Sequence, residues 1–81
     1  MGCRVGITTD LYARKAHWES VYAEVTDWQV LAGPFNTKAE AQAEESRLVV
    51  HYGCEAHPGG DDADFAGAPW YVYGFNHAGR R

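Results

Sequence analysis

Residues 4–18 constrain the fold most, because within this stretch the chain turns from an extended run into a helix. The apolar run at residues 3–7 is typical of a short β-strand. Two threonines and Asp10 follow, and an aspartate can accept a hydrogen bond from the free N–H groups of the first helical turn. The sequence therefore predicts a strand at residues 3–7 and a helix over residues 10–22.

One residue of this predicted helix has an unusual position. At about 100° per residue, the helix carries one apolar stripe. The stripe consists of Leu11, Trp18, Val21 and Tyr22. Arg14 falls inside it, and a guanidinium facing the core is costly unless an anion meets it. We therefore expect Arg14 to meet either a carboxylate within the protein or a phosphate from outside.

A second helix begins at Asn36 or Thr37, with Thr37 and Glu40 spaced as a capping box, and Gly53 terminates it. It also carries an apolar stripe. That stripe consists of Ala41, Leu48, Val49 and Tyr52. Glu45 lies within about 20° of the centre of the stripe. The second helix thus repeats the pattern of the first, with one charged residue on the face that should be buried.

The remaining segments complete a small fold. Residues 28–31 are predicted to form a strand. Residues 55–68 are predicted to form a long loop, because they are rich in Gly, Pro and Asp. Residues 70–75 have the strongest β-strand propensity of the chain. Residues 78–81 are expected to form a mobile tail. We therefore predict one domain of α/β (α+β) class, a three-stranded antiparallel sheet flanked by two helices. The C-terminal strand is the most apolar, so we place it in the middle of the sheet.

The charge balance limits the classes of partner. A formal net charge of −4 means that any contact with nucleic acid must use a local basic patch. We see no signal-peptide pattern and no apolar run long enough to span a membrane. We therefore expect a cytoplasmic protein that does not bind membranes.

The two cysteines are far apart in the sequence. In a cytoplasmic protein we expect Cys3 and Cys54 to remain reduced thiols. His51 and His57 flank Cys54, but the order His-x-x-Cys-x-x-His matches no common zinc spacing. We therefore predict no zinc site here.

Two segments together resemble the GIY-YIG endonuclease superfamily. Gly6-Ile7-Thr8-Thr9-Asp10, with Arg14 eight residues after the glycine, resembles the second half of the family motif, in which a strand leads into a helix bearing an essential arginine. Ala41 and Glu45, followed by Leu48, resemble the later helix that carries the family's metal-binding glutamate.

The family's first strand is missing before residue 3, but residues 69–75 resemble it closely. The resemblance therefore implies a circularly permuted, single-domain GIY-YIG-like fold, in which the usual first strand has moved to the C-terminus. It also implies that residues 70–75 pair antiparallel with residues 3–7.

The resemblance implies a metal-dependent endonuclease that cleaves DNA phosphodiester bonds. Glu45 would bind Mg²⁺ or Mn²⁺, Arg14 would bind the phosphate, and Tyr73 would be the tyrosine of the first strand. Cleavage of this kind needs a positioned nucleophile, a metal ion and a cation for the developing charge. His17, one turn after Arg14, could relay a proton. We expect Arg14, Glu45 and Tyr73 to face one shared surface.

The residue at the position of the family's second tyrosine is Arg4. Arg4 cannot replace that tyrosine as a base, because a guanidinium stays protonated at neutral pH. Arg4 and Lys15 are instead candidates for contacts with nucleic-acid phosphates. The alternative function is a catalytically inactive module that binds nucleic acid or a protein partner. An active enzyme of this size would take its specificity from such a partner or would have little specificity.

Each candidate also has a purely structural interpretation. Arg14 and Glu45 could form an ion pair across the helix interface, and Tyr73 could be a core residue of a central strand. The four histidines are expected to be ordinary polar residues unless the family resemblance assigns them a role.

Overall fold

The computed structural model describes residues 2–56 and 69–80, in an α+β fold of two helices and a four-stranded sheet. In chain order the elements are β1 (Gly2–Thr8), α1 (Leu11–Val21), β2 (Tyr22–Phe35), α2 (Lys38–Tyr52), β3 (Glu55–Ala56) and β4 (Trp70–Arg80). The strand order is β2-β4-β1-β3. The predicted α+β class is confirmed. The sheet, however, has four strands and not the predicted three, and it is mixed and not purely antiparallel, because β3 pairs parallel to β1.

β4 lies inside the sheet and pairs with a neighbour on each side. It runs antiparallel to β1, with the paired residues extending from Gly2–His77 to Thr8–Tyr71. On its other side it pairs antiparallel with β2. The predicted pairing of residues 70–75 with residues 3–7, and the central place of this strand, are therefore confirmed.

Three boundaries differ from the prediction. β2 covers far more than residues 28–31, β3 lies within the predicted loop at residues 55–68, and β4 continues through residues 78–80 of the predicted tail. Residues 57–68 of that loop, including His57, lie outside the described residues. These strand segments lack a clear apolar alternation, because most of β2 and both residues of β3 are exposed.

Both helix starts follow the local sequence signals. The side chain of Asp10 accepts a hydrogen bond from the backbone N–H of Ala13 at 3.0 Å. At α2, Thr37 and Glu40 form a complete capping box, and Gly53 ends the helix in the left-handed conformation at φ 67°. These caps orient both helices relative to the strands that precede them.

The two helices cover opposite faces of the sheet. Successive residues of a strand point to opposite faces. One face, here called the α2 face, carries a core of Val5, Ile7, Ala41, Leu48, Trp70 and Val72. The other, the α1 face, carries Trp18, Tyr22, Tyr73 and Phe75. The sheet therefore separates the residues of α1 that point inward from those of α2.

Cys3 and Cys54 form a disulfide, contrary to the prediction that both remain reduced. The parallel pairing of β1 with β3 joins Arg4 to Glu55, so the preceding cysteines lie side by side with their Cα atoms 5.0 Å apart. The sequence did not indicate this contact because β3 consists of two exposed residues within a segment that is typical of a loop.

Candidate functional site

Arg14 is buried, as its place in the apolar stripe predicted. Its exposed fraction is 5%, and Trp18 follows on the same side of α1, in the core of the α1 face. Among the described residues, Arg14 and Glu45 form no ion pair with each other, and burial alone accounts for the pKa shift of Glu45. The structural interpretation of these two residues as a pair across the helix interface is therefore wrong.

Glu45 is buried on α2, between two residues that pack on the α2 face. Only 7% of it is exposed, and Ala41 and Leu48 flank it on the same side of the helix. Among the described residues, no hydrogen-bond donor reaches its Oε2 atom. Burial raises the pKa of the Glu45 carboxyl from its ordinary 4.5 to about 7, because the charged form loses its hydration.

Tyr73 is completely buried at the centre of the α1 face. The indole Nε1 of Trp18 donates a hydrogen bond to the Tyr73 hydroxyl at 2.9 Å, and the Trp28 ring stacks at 4.7 Å. On β1, Gly6 lies against the hydroxyl group, and a Cβ atom at this position would collide with it. A glycine at residue 6 is therefore required by the close approach of the tyrosine.

The other two candidates on α1 lie towards its solvent side. Lys15 forms an ion pair with Glu19, with Nζ 3.3 Å from Oε2. His17 is exposed, and its ring contacts the edge of Trp18 at 4.8 Å. His17 is accessible to a substrate, and Lys15 is already engaged with a neighbouring carboxylate.

Arg4 belongs to a group of polar side chains that the sequence did not predict. Its Nε donates to the Tyr22 hydroxyl at 2.8 Å, its Nη2 lies 3.6 Å from Glu55 Oε2, and its guanidinium lies 5.0 Å from the Trp18 ring. His77 stacks on Tyr22 at 4.0 Å, and its Nε2 lies 3.8 Å from the same Glu55 oxygen. We call Arg4, Tyr22, Glu55 and His77 the Arg4 cluster.

The Arg4 cluster lines an open depression of about 420 Å³, together with Gly2, Ala78 and Gly79. One signal could have located His77 in advance. Continuing the predicted antiparallel pairing of the first and last strands beyond their expected ends places His77 beside the start of β1. No such signal exists for Glu55, because its strand was not predicted.

The structure brings some of the predicted residues together and not others. Arg14 and Tyr73 both belong to the α1 face, whereas Glu45 projects from the helix that covers the α2 face. The expected surface shared by all three on one side of the sheet is therefore not formed. Within the described residues, no three carboxylate, imidazole or thiol groups converge as a ready-made metal site.

No helix in the described part of the chain is long and apolar enough to cross a membrane. Comparison of the chain with protein-family models, curated proteins and solved structures finds no match.

The raised pKa of Glu45 predicts that the folded protein loses stability as the pH rises from about 4.5 to about 7. The folded carboxyl keeps its proton up to about pH 7, whereas the unfolded one loses it near its ordinary pKa of 4.5. Stability from this group is therefore fully present below about pH 4.5 and is lost as the pH passes through 7. The folded and unfolded pKa values differ by about 2.5 units, so at about 1.4 kcal/mol per pKa unit the loss is at most about 3.5 kcal/mol.

Urea unfolding of wild type and Glu45→Gln at pH 5 and pH 8 measures this effect. The variant should gain stability relative to wild type at the higher pH, because an amide has no charge to bury. Glu44→Gln is the matched control, because Glu44 is the neighbouring glutamate on the same helix but is not buried. Arg47 donates hydrogen bonds to its carboxylate and lowers its pKa. Identical pH profiles for wild type and Glu45→Gln would contradict the prediction.

Proposed function

We propose that the chain is a GIY-YIG-like, metal-dependent endonuclease that cleaves DNA phosphodiester bonds. The observation that carries the proposal is the buried carboxylate of Glu45. Its Oε2 lacks a hydrogen-bond donor among the described residues, and Glu45 lies between Ala41 and Leu48 of the apolar core. A carboxyl group in such a place is poorly explained by stability, and strongly perturbed groups are common at functional sites.

Glu45 fits the role of a metal ligand. An unpartnered carboxylate oxygen is a suitable donor for Mg²⁺ or Mn²⁺, and Mg²⁺ often takes only one or two protein carboxylates, with water and substrate phosphates completing its shell. When bound, the metal ion would polarise the phosphodiester. Because the proton on Glu45 competes with the metal ion, binding should weaken below about pH 7.

In the proposal the phosphate binds near the end of β1, where both helices begin. α1 begins after Thr8, and Lys38 at the start of α2 lies 5.7 Å from the ring of Trp70, which begins β4. Both helices therefore start at the same end of the sheet, on opposite faces. In the proposal, Arg14 would bind the phosphate and Glu45 would hold the metal ion. Because both side chains are buried on opposite faces of the sheet, the substrate would have to displace part of the packing near the end of β1.

The other residues have supporting roles in the proposal. Tyr73 orients the reacting group through its hydroxyl, which Trp18 holds in place. His17, exposed one turn after Arg14, relays a proton to or from water. Arg4 and Lys15 contact flanking phosphates, provided that the carboxylates that now pair with them move away.

A cleavage assay on plasmid and branched DNA tests the proposal. Wild type should cut only with Mg²⁺ or Mn²⁺, and Glu45→Gln should reduce the rate at least about a hundredfold, as loss of a group that stabilises the transition state typically does. Glu44→Gln should cut like wild type. Equal cutting by wild type and Glu45→Gln would indicate a contaminating nuclease and refute the enzyme hypothesis.

A second candidate function is a catalytically inactive GIY-YIG-like module that binds nucleic acid or a protein partner. It is favoured by Arg4 at the position of a signature tyrosine and by the complete burial of Tyr73. Such a module would bind DNA without cutting it, with no effect of metal ions or of Glu45→Gln. Its affinity for DNA should fall steeply with salt, because only phosphate contacts carry the binding.

A further inference from the structure

β3 places the carboxylate of Glu55 next to two basic side chains of the sheet, those of Arg4 and His77. The Oε2 atom of Glu55 lies 3.6 Å from Nη2 of Arg4 and 3.8 Å from Nε2 of His77. Arg4 also donates from Nη1 to the carbonyl oxygen of Ala56 at 3.4 Å. Both residues of β3 are thus in contact with Arg4, and the Glu55 carboxylate lies where an anion from solution would lie.

β3 has few attachments to the rest of the described chain. It contains two residues, both exposed, and it pairs with β1 at Arg4 and Val5 only. Neither of its two residues is buried, and the Glu55 side chain is 64% exposed, so its ion pairs are weak. The disulfide between Cys3 and Cys54, directly before the paired residues, is the covalent link that fixes β3 to β1.

We propose that Arg4 and His77 form a binding site for a phosphate group, that Glu55 covers this site while the Cys3–Cys54 disulfide is intact, and that reduction of the disulfide uncovers it. A guanidinium and an imidazole are standard phosphate ligands, since both present N–H donors. The adjoining depression of about 420 Å³ is large enough for a phosphate group and open to solvent.

The redox step requires a dithiol reductant. One thiolate of the dithiol attacks a sulfur of the Cys3–Cys54 bond and forms a mixed disulfide, and the second thiol of the reductant then displaces that cysteine. Two electrons and two protons pass to the protein, Cys3 and Cys54 become thiols, and the dithiol becomes a disulfide. Among the described residues, β3 then keeps its backbone pairing with β1, the hydrogen bond from Arg4 to the Ala56 carbonyl and the two exposed ion pairs of Glu55.

The phosphate could come from DNA or from a free anion, and the test separates the two sources. The DNA source rests on the proposed function, whereas the site itself does not. We would measure binding of inorganic phosphate by NMR titration and of a labelled 12-nucleotide DNA strand by fluorescence anisotropy. Both ligands would be tested against the oxidised and the dithiothreitol-reduced protein, without divalent metal.

Variants identify the residues responsible. Glu55→Gln removes the covering carboxylate but keeps the disulfide, so it should bind inorganic phosphate about tenfold more tightly than oxidised wild type, as the reduced protein should. Adding His77→Gln to Glu55→Gln should reverse this gain. Glu24→Gln removes the same charge from an exposed position of β2 that does not line the depression, and should bind like oxidised wild type.

The outcomes are distinct. Tighter phosphate binding by both the reduced protein and Glu55→Gln supports the redox-controlled site, even if DNA does not bind, and in that case only the DNA source and the proposed function fail. Equal phosphate binding by oxidised wild type, reduced wild type and Glu55→Gln overturns the proposal. A gain upon reduction without any gain in Glu55→Gln also overturns it, because the carboxylate would not be what covers the site.

Discussion

Removal of residues 69–81 is expected to abolish folding and not merely to shorten the sheet. β4 supplies the backbone partners of both β1 and β2, and these two strands do not pair with each other. It also contributes buried side chains to both faces, Trp70 and Val72 to one and Tyr73 and Phe75 to the other. The shortened chain would leave both cores without their central layer, so the loss should exceed the whole stability of a small domain.

Circular dichroism and urea titration of the shortened chain measure the effect. We expect no cooperative transition. A synthetic peptide of residues 69–81, added in excess, should restore one, because the missing strand can pair from solution. The same peptide with Val72→Pro should fail, since proline cannot donate to the ladder in a central strand. A cooperative transition in the shortened chain alone would show that β4 is dispensable.

Replacement of both cysteines, Cys3→Ser with Cys54→Ser, should lower the free energy of unfolding by about 2–4 kcal/mol. The disulfide closes a loop between residues 51 positions apart, and it restricts the unfolded chain more than the folded one. The loss should still leave a folded protein, because small domains are typically stable by about 5–15 kcal/mol.

The urea midpoint of the double variant should match that of wild type reduced with dithiothreitol. This comparison shows that the loss comes from the missing disulfide and not from the serine side chains. Thiol titration before and after reduction confirms the redox state. Equal midpoints for oxidised wild type and the double variant would mean that the bond contributes no stability.

The sequence predicted those features that depend on a few neighbouring residues. The cap at Asp10, the capping box at Thr37 and the end of α2 at Gly53 each arise within one helical turn, so local chemistry was sufficient. The burial of Arg14 and Glu45 also followed from helical spacing alone.

Most features that depend on distant partners were not predictable in the same way. The pairing of residues 70–75 with residues 3–7 was the exception, and it followed from the family resemblance and not from local spacing. β2 and β3 are stabilised by strands far away in sequence, and their own residues are mostly exposed, so no apolar alternation marks them. The disulfide and the contacts of Glu55 depend on β3 and were missed with it. Helical spacing also could not tell which face of the sheet each helix would cover.

The strand order of the sheet has a consequence for the synthesis of the protein on the ribosome. β1, both helices and β2 are translated before β4, yet β1 and β2 have no sheet contact with each other. Until β4 leaves the exit tunnel, apolar side chains such as Val5, Ile7 and Leu48 have no central strand to pack against. We therefore expect aggregation of the growing chain to be most favoured just before β4 leaves the ribosome.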